Sequence, residues 1–312
     1  MKFKSITSQH MLLLKQFRNF KTFPVSAFST SAFRNRVEKA VDLSYSVFMP
    51  DNKLSSSIPA IILHGLLGSK QNWRSLGKAI AVRSSRKVYA LDARNHGDSP
   101  HSYEFNYELM SADVKHFMNS QAISSAILIG HSMGGRTAMH LALTEKSLVN
   151  KLVVVDVSPI SIPQALSSSI DYMTAMKEAI KTVPKLGIVQ ARKAIDIYLS
   201  RSIPEIGIRQ FLLTNLHEEN KVLKWRANLE VLSNCYSELM RFPSVLGHYL
   251  EDTLFICGED SPYVKSEDYP QIRILFAKAE FAVIPGAGHW VHSEKPSEFL
   301  EILLTGVETV GS

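Results

Sequence analysis

Ala126-Ile127-Leu128-Ile129, an unbroken apolar run, passes without a spacer into Gly130-His131-Ser132-Met133-Gly134-Gly135. The helix-compatible stretch Arg136–Thr144 follows. This is G-x-S-x-G in a strand–turn–helix setting, and the setting is what makes the five-residue pattern specific. A turn this tight forces its central residue into a strained conformation, and the flanking glycines relieve the crowding. The strain would hold the Ser132 hydroxyl out above a sheet, at the start of a helix. Free N–H groups and a partial positive charge at that helix end favour a developing oxyanion. Ser132 is therefore the candidate nucleophile.

The same rhythm extends outward. Ile58–Leu63, Val88–Leu91, Leu152–Val157, Leu254–Cys257 and Phe281–Ile284 are short, mostly β-branched or aliphatic runs with little polar alternation. Runs of that kind are the mark of parallel strands covered on both faces. Asn72–Arg83 and Tyr107–Gln121 are long enough to be crossover helices. Strands alternating with helices predict an α/β fold, a doubly wound and mostly parallel sheet. Residues 160–245 break the rhythm, with no strand-like run. They predict an all-helical insertion with amphipathic helices at Ile170–Ile180, Val189–Leu199 and Leu223–Met240. Its expected place is a cap over the carboxyl edge of the sheet, where ligands bind in open α/β folds. The 312 residues suit one such domain with an insertion.

Two further loops belong at that edge. His64-Gly65-Leu66-Leu67-Gly68 closes the strand Ile58–Leu63. An oxyanion hole needs two converging donors, and the N–H groups of Met133 and Leu66 are the natural pair. Gly286-Ala287-Gly288-His289-Trp290 follows the last strand. His289 sits in its glycine-flanked tip and is the candidate general base, with His292 as a competitor. His131 is expected to pack beside the nucleophile, and His64 and His96 to serve turns. The acid that orients the base should lie between serine and histidine in chain order. Asp156, in Val155-Asp156-Val157-Ser158-Pro159, and Asp260, in Gly258-Glu259-Asp260-Ser261, both end strands. The local pattern favours Asp260, the position after the later strand. Asp92 and Asp98 precede the serine and are expected to stabilise their own loop.

Composition removes other classes. The net charge of +6 comes from residues 1–37, which hold seven Lys or Arg and no Asp or Glu; the remaining 28 basic residues face 29 acidic ones. A near-neutral folded part argues against nucleic acid as a partner. Residues 1–37 are basic, hydroxylated and acid-poor, the composition of a mitochondrial transit peptide or, failing that, a disordered tail. The boundary predicts a folded domain over 38–312. No run approaches the ~20 apolar residues of a membrane span. No His/Asp/Glu cluster has metal-ligand spacing, and no nucleotide motif surrounds Gly134-Gly135, so neither metal nor cofactor is expected. The only cysteines, Cys235 and Cys257, are expected to pack as small apolar groups.

His64–Ser69, Asp92-Ala93-Arg94-Asn95-His96-Gly97-Asp98-Ser99-Pro100, Gly130–Gly135, Val155–Pro159, Gly288–His292 and the insertion segments Arg209–Leu216 and Trp225-Arg226 together resemble the alpha/beta-hydrolase domain-containing protein 11 family. The likeness runs from about residue 42 to the end of the chain. It implies the α/β-hydrolase fold with a helical cap, a mitochondrial location in the matrix, and esterase or lipase activity, diacylglycerol being an associated substrate. It also implies a protective role toward lipoylated 2-oxoacid dehydrogenase complexes, making the 2-oxoglutarate dehydrogenase complex a candidate partner. Related bacterial esterases and yeast alcohol acetyltransferases carry the acid after the strand that follows the nucleophile helix. That resemblance moves the expectation from Asp260 to Asp156. The expected chemistry is hydrolysis of a carboxylic ester through an acyl-enzyme, with a lipid-type acyl group suggested by apolar insertion residues Met173, Met176, Phe211, Leu212 and Trp225. Acyl transfer to an alcohol would use the same residues. A scaffold role on the dehydrogenase complex is the alternative from a different class.

Overall fold

The computed structural model describes residues 40–51, 58–161, 167–183 and 186–308. The expected transit segment, residues 1–37, lies outside the described residues. The strands are β1 (Tyr45–Phe48), β2 (Ala60–Leu63), β3 (Val88–Leu91), β4 (Ala126–His131), β5 (Val149–Val155), β6 (Leu216–Glu219), β7 (Val222–Trp225), β8 (Thr253–Gly258) and β9 (Ala279–Ile284). The helices used below are α1 (Arg74–Ser84), α2 (Tyr107–Ser120), α3 (Met133–Thr144), α4 (Ser167–Lys181), α5 (Ile188–Leu199), α6 (Ile206–Leu213), α7 (Leu229–Asn234), α8 (Tyr236–Leu239), α9 (Tyr269–Leu275), α10 (Val291–Glu294) and α11 (Pro296–Glu308).

Seven strands form one sheet in the order β1-β3-β2-β4-β5-β8-β9. All pairings are parallel except that of β1 on the edge, which runs antiparallel to β3. The central strands are buried on both faces, as their unbroken apolar composition requires. Side chains alternate between the two faces. Ile61, Leu128, Leu152, Val154 and Phe255 join the core that includes residues of α2, α3 and α9. Ile62, Ile127, Val153, Val155 and Ile256 join the opposite core, which includes residues of α1 and α11. The doubly wound architecture is the expected one.

The insertion differs from its expected all-helical form. Within it β6 and β7 make an antiparallel hairpin, and the helix expected over Leu223–Met240 is instead β7 followed by the short helices α7 and α8. The cause is the two-residue turn Asn220-Lys221, with both residues at positive φ (51° and 64°). Such a turn matches the twist of a hairpin. The hairpin's strands are half exposed, so no strong alternation announced it. The edge strand β1, similarly half exposed, was not anticipated either. Met173, Met176, Ile195, Leu199 and Leu232 form the interior of the insertion, and that interior is continuous with Leu67, Phe105 and Met133 of the sheet domain. The insertion thus packs on the carboxyl edge of the sheet.

The helix α3 begins hard against that edge. A Cβ on Gly134 would lie 2.3 Å from the Leu63 carbonyl oxygen and 2.7 Å from that of His64, both backbone atoms. By contrast, a Cβ on Gly207 in α6 would meet nothing within 4 Å. Gly134→Ala should therefore push α3 off β2 and cost more than about 3 kcal/mol, whereas Gly207→Ala should stabilise by up to about 1 kcal/mol. Thermal melts of the two variants check this contrast; a Gly134→Ala protein that melts like wild type would refute it.

Candidate active site

Ser132 has φ 54° and ψ −116°, a conformation that L residues rarely hold, and the helix starts at the next residue. Its N–H is tied to the Val155 carbonyl at 3.0 Å. The Ser132 hydroxyl lies 3.1 Å from Nε2 of His289, and His289 Nδ1 lies 2.7 Å from an Asp156 carboxylate oxygen. Asp156 is fully buried and itself has positive φ, 51°. Its other oxygen accepts the Gly258 N–H at 3.1 Å, and the Ser261 hydroxyl donates to the oxygen shared with His289. Asp260, by contrast, is exposed, and among the described residues only its backbone N–H is engaged, on the Ala287 carbonyl. The structure brings Asp156 to the histidine and leaves Asp260 outside. The side chain that the loop after β8 turns inward is the neighbouring Ser261.

The imidazole of His289 is held from several sides. The Tyr263 ring stacks on it at 3.6 Å between centroids, 13° from parallel. His131 donates from Nε2 to the His289 carbonyl at 2.9 Å. His292 stacks instead on Trp73 at 4.2 Å, and its buried Nδ1 has no partner among the described residues. Burial pushes the His131 imidazole well below its ordinary value and that of His292 down to about 3. Both therefore stay neutral beside the His289 ring.

The loop after β2 approaches the serine closely. A Cβ on Gly65 would come within 3.3 Å of Ser132 Cβ. Gly65 and Gly68 close a turn, with the Gly68 N–H on the Gly65 carbonyl at 2.9 Å. The same carbonyl receives His64 Nδ1 at 2.7 Å. In a trans peptide the N–H points opposite to the C=O, so the Leu66 N–H is directed away from those donors. Neither it nor the Met133 N–H, the first of the helix, is bonded to protein among the described residues. His96 accepts the Leu67 N–H at 3.1 Å, and Asp92, Asp98 and Lys70 brace the adjoining loop: Asp92 accepts the N–H groups of Lys70 (2.6 Å) and Asp98 (2.8 Å), and the Lys70 ammonium sits between both carboxylates. Asp92 and Asp98 thus occupy the loop role expected of them.

Ser132 and His289 open into a cavity of about 240 Å³ between the sheet edge and the insertion. Tyr172 of α4, Phe211 and Leu212 of α6, and Trp290 contribute apolar walls. Of the five insertion residues singled out in the sequence, Phe211 and Leu212 reach the cavity. Met173 and Met176 are instead wholly buried inside the insertion, and the Trp225 indole N–H bonds to the Met176 carbonyl. Sequence reasoning missed Tyr263, Ser261 and Asn215 (which donates to the Leu67 carbonyl at 2.7 Å). Ser261 lies one residue from a weighed carboxylate; for Tyr263 no motif pointed to a stacking role. Cys257 is buried and Cys235 half-buried. Among the described residues no group of three His, Cys, Asp or Glu is placed to hold a metal, and no helix is long and apolar enough to cross a membrane.

Comparison with known proteins identifies the family. The profile of the Alpha/beta hydrolase family matches residues 60–302. A Danio rerio protein named sn-1-specific diacylglycerol lipase ABHD11 is 43% identical over 86% of this chain and 84% of its own length. The Mus musculus protein of that name is 43% identical over 87% of each. A solved esterase from a marine microorganism superposes with a TM-score of 0.76 at 32% identity, over 85% of this chain and 99% of its own.

The neutral histidines have a measurable consequence. Burial lowers His96 and His292 to about 3 in the folded protein from 6.5, so on acidification the unfolded chain binds protons first. Stability is full above about pH 6.5 and declines toward pH 3, by up to about 1.4 kcal/mol per pH unit for each histidine. His292→Phe keeps the stack on Trp73 and removes one of the two. Denaturant melts between pH 7 and 4 should show a shallower decline for this variant than for wild type; equal slopes would contradict the assignment.

Proposed function

This chain belongs to the alpha/beta hydrolase family, among the relatives of the diacylglycerol lipase ABHD11, and is a carboxylic ester hydrolase; from that premise we propose that Ser132, His289 and Asp156 are its catalytic triad and that its substrate is a lipid-type ester such as diacylglycerol. The observation that carries the triad is the unbroken relay from the Ser132 hydroxyl through both ring nitrogens of His289 to the buried Asp156 carboxylate.

The chemistry follows from that relay. Asp156 accepts a hydrogen bond from the Nδ1–H of His289, which fixes the tautomer and leaves the Nε2 lone pair facing Ser132. Ser132 Oγ attacks the ester carbonyl as its proton passes to Nε2. The carbonyl oxygen becomes an oxyanion, received by the N–H groups of Leu66 and Met133. Collapse expels the alcohol, which takes the proton from His289, and leaves an acyl group on Ser132. Water then repeats the sequence and releases the acid. The Asp156 carboxylate stabilises the imidazolium at each stage, and Tyr263 keeps the ring from tilting. The cavity of about 240 Å³ lies below the ~300–1,000 Å³ usual for small-molecule sites. Part of a two-chain lipid would therefore extend beyond it, past the half-buried Phe211 and Trp290.

The basic, acid-free residues 1–37 support a mitochondrial location, with the matrix as the compartment. The resemblance to the alpha/beta-hydrolase domain-containing protein 11 family supports the 2-oxoglutarate dehydrogenase complex as a partner there. Fusion of residues 1–37 to a fluorescent protein tests the address: mitochondrial signal is expected, and diffuse signal would overturn it.

Labelling with a fluorophosphonate probe tests the nucleophile. Wild type should react and Ser132→Ala should not; an unreactive wild type would overturn the assignment. In ester hydrolysis, Asp156→Asn should lower kcat by about 10⁴-fold, while Asp260→Asn should stay near wild type. The reverse order would move the acid to Asp260. Release of acyl ester rather than free acid when an alcohol is added would shift the reading to acyl transfer.

A further inference from the structure

The oxyanion loop contains a residue whose conformation needs an explanation. Leu67 stands at φ 61°, a left-handed conformation unfavourable for an L residue. Strain of this kind persists only where the surroundings over-determine it. Here both polar groups of Leu67 are taken. Its N–H is accepted by Nε2 of His96 at 3.1 Å, and its carbonyl receives the side-chain amide of Asn215 at 2.7 Å. His96 suits the first bond, because its Nδ1 donates to the Arg94 carbonyl at 3.0 Å and leaves Nε2 as an acceptor.

Asn215 does not belong to the sheet domain. It immediately precedes β6 in the insertion and is 3% exposed. Its backbone carbonyl accepts the N–H of Arg226, which immediately follows β7, at 2.9 Å. These two residues close the base of the hairpin. The Arg226 guanidinium pairs with Asp98, and its carbonyl lies 3.0 Å from His101 Nε2. The hairpin base is thus fastened to the segment 92–101 that also carries His96. Leu67 is gripped on one side by that segment and on the other by the insertion hairpin moored to it.

We infer that Asn215 is a positioning residue for the oxyanion hole: its amide holds the Leu67 carbonyl, keeps the Gly65–Gly68 turn closed, and so keeps the Leu66 N–H aimed at the reacting carbonyl. The inference rests on the nucleophile and oxyanion assignments made above. Without the amide, Leu67 can relax out of the left-handed region. The Gly68 N–H then leaves the Gly65 carbonyl, and the peptide that bears the Leu66 N–H is free to turn. Ground-state binding does not depend on that N–H; stabilisation of the tetrahedral intermediate does.

The test uses Asn215→Asp, nearly isosteric but without the donor, and Asn215→Ala, on the full chain. Labelling to completion with a fluorophosphonate counts intact sites, so that rates refer to folded protein alone. Per labelled site, kcat should fall about 10- to 100-fold while KM changes little, and the affinity for an alkylboronic acid, a mimic of the tetrahedral intermediate, should fall by a comparable factor. His96→Phe should behave alike, and His96→Gln, which keeps an acceptor for the Leu67 N–H, should recover most of the loss. A lowered Tm with kcat per site and boronate affinity unchanged would overturn the inference and leave Asn215 a packing residue. A wild type that resists the probe would bring down the nucleophile assignment and this inference together, an outcome the wild-type lane alone reveals.

Discussion

The site depends on how closely α3 approaches the ends of β2 and β4. No Cβ fits at Gly130, where it would lie 2.3 Å from the Gly134 carbonyl, nor at Gly134 itself. That approach gives the chain no route from β4 into α3 except through a residue with positive φ. The residue there is Ser132, and its side chain is lifted off the sheet as a result. The conformation is unfavourable by itself and is held by what surrounds it. The Ser132 N–H is bonded to β5, its carbonyl accepts the Arg136 N–H, and the buried Arg136 guanidinium donates to the carbonyls of Ser158, Ser161, Leu239 and Met240. A buried guanidinium surrounded by carbonyl acceptors is a rigid anchor. The first turn of the nucleophile helix is thereby tied to the loop after β5 and to the insertion.

Electrostatics around this frame are sorted by burial. His64, His96, His131 and His292 lie within the site's walls, and burial lowers each of them. Each neutral ring then offers one donor and one acceptor nitrogen, and the structure uses that polarity. His64 donates to the Gly65 carbonyl and accepts the Ala93 N–H at 3.0 Å, while His96 does the same between the Arg94 carbonyl and the Leu67 N–H. A charged imidazole in either place would face a backbone N–H with a second donor. Among the described residues only His289 has a carboxylate on one nitrogen and a hydroxyl on the other. One ring among several thus has the partners that the proposed proton exchange requires, and the others around it are held as fixed dipoles.

What could be read from the sequence and what could not divide along the range of the interactions. The elbow, the central strands and the loop with His289 are local. Each is a short apolar run ending in glycines, and the parallel sheet follows from their composition. The candidate acid is a different case. Asp156 and Asp260 both end strands, and spacing along the chain favoured Asp260. The outcome turns on the backbone at Asp156, whose positive φ and bond to Ile256 aim its carboxylate under His289, while Asp260 points to solvent. No one-dimensional pattern carries that angle, and only the family resemblance pointed to it. The hairpin was hidden for another reason. Its strands are half exposed and its turn is Asn-Lys rather than Asn-Gly, so Leu223 and Trp225 fell in with the helical periodicity that follows. Met173 and Met176 suggested a lipid wall but fill the insertion's own interior, since an apolar residue does not state which cavity it lines.

The insertion is more than a cover, and the energetics of unpaired groups show why. It supplies the partner of the Leu67 carbonyl and three of the carbonyls around Arg136, and Tyr107 of the sheet domain donates its hydroxyl to the Leu239 carbonyl at 2.8 Å. A buried polar group left without its partner costs about 1–3 kcal/mol, and a charged one more. The Arg136 and Leu67 groups lie at the first turn of the helix that carries the proposed nucleophile and in the proposed oxyanion loop, so a displaced insertion would disturb the backbone proposed to receive the developing charge. Its apolar interior runs on into Leu67, Phe105 and Met133 with no separating seam. Lid and catalytic frame are accordingly one packed unit at the sheet's carboxyl edge, and the shape of the oxyanion loop is a property of both.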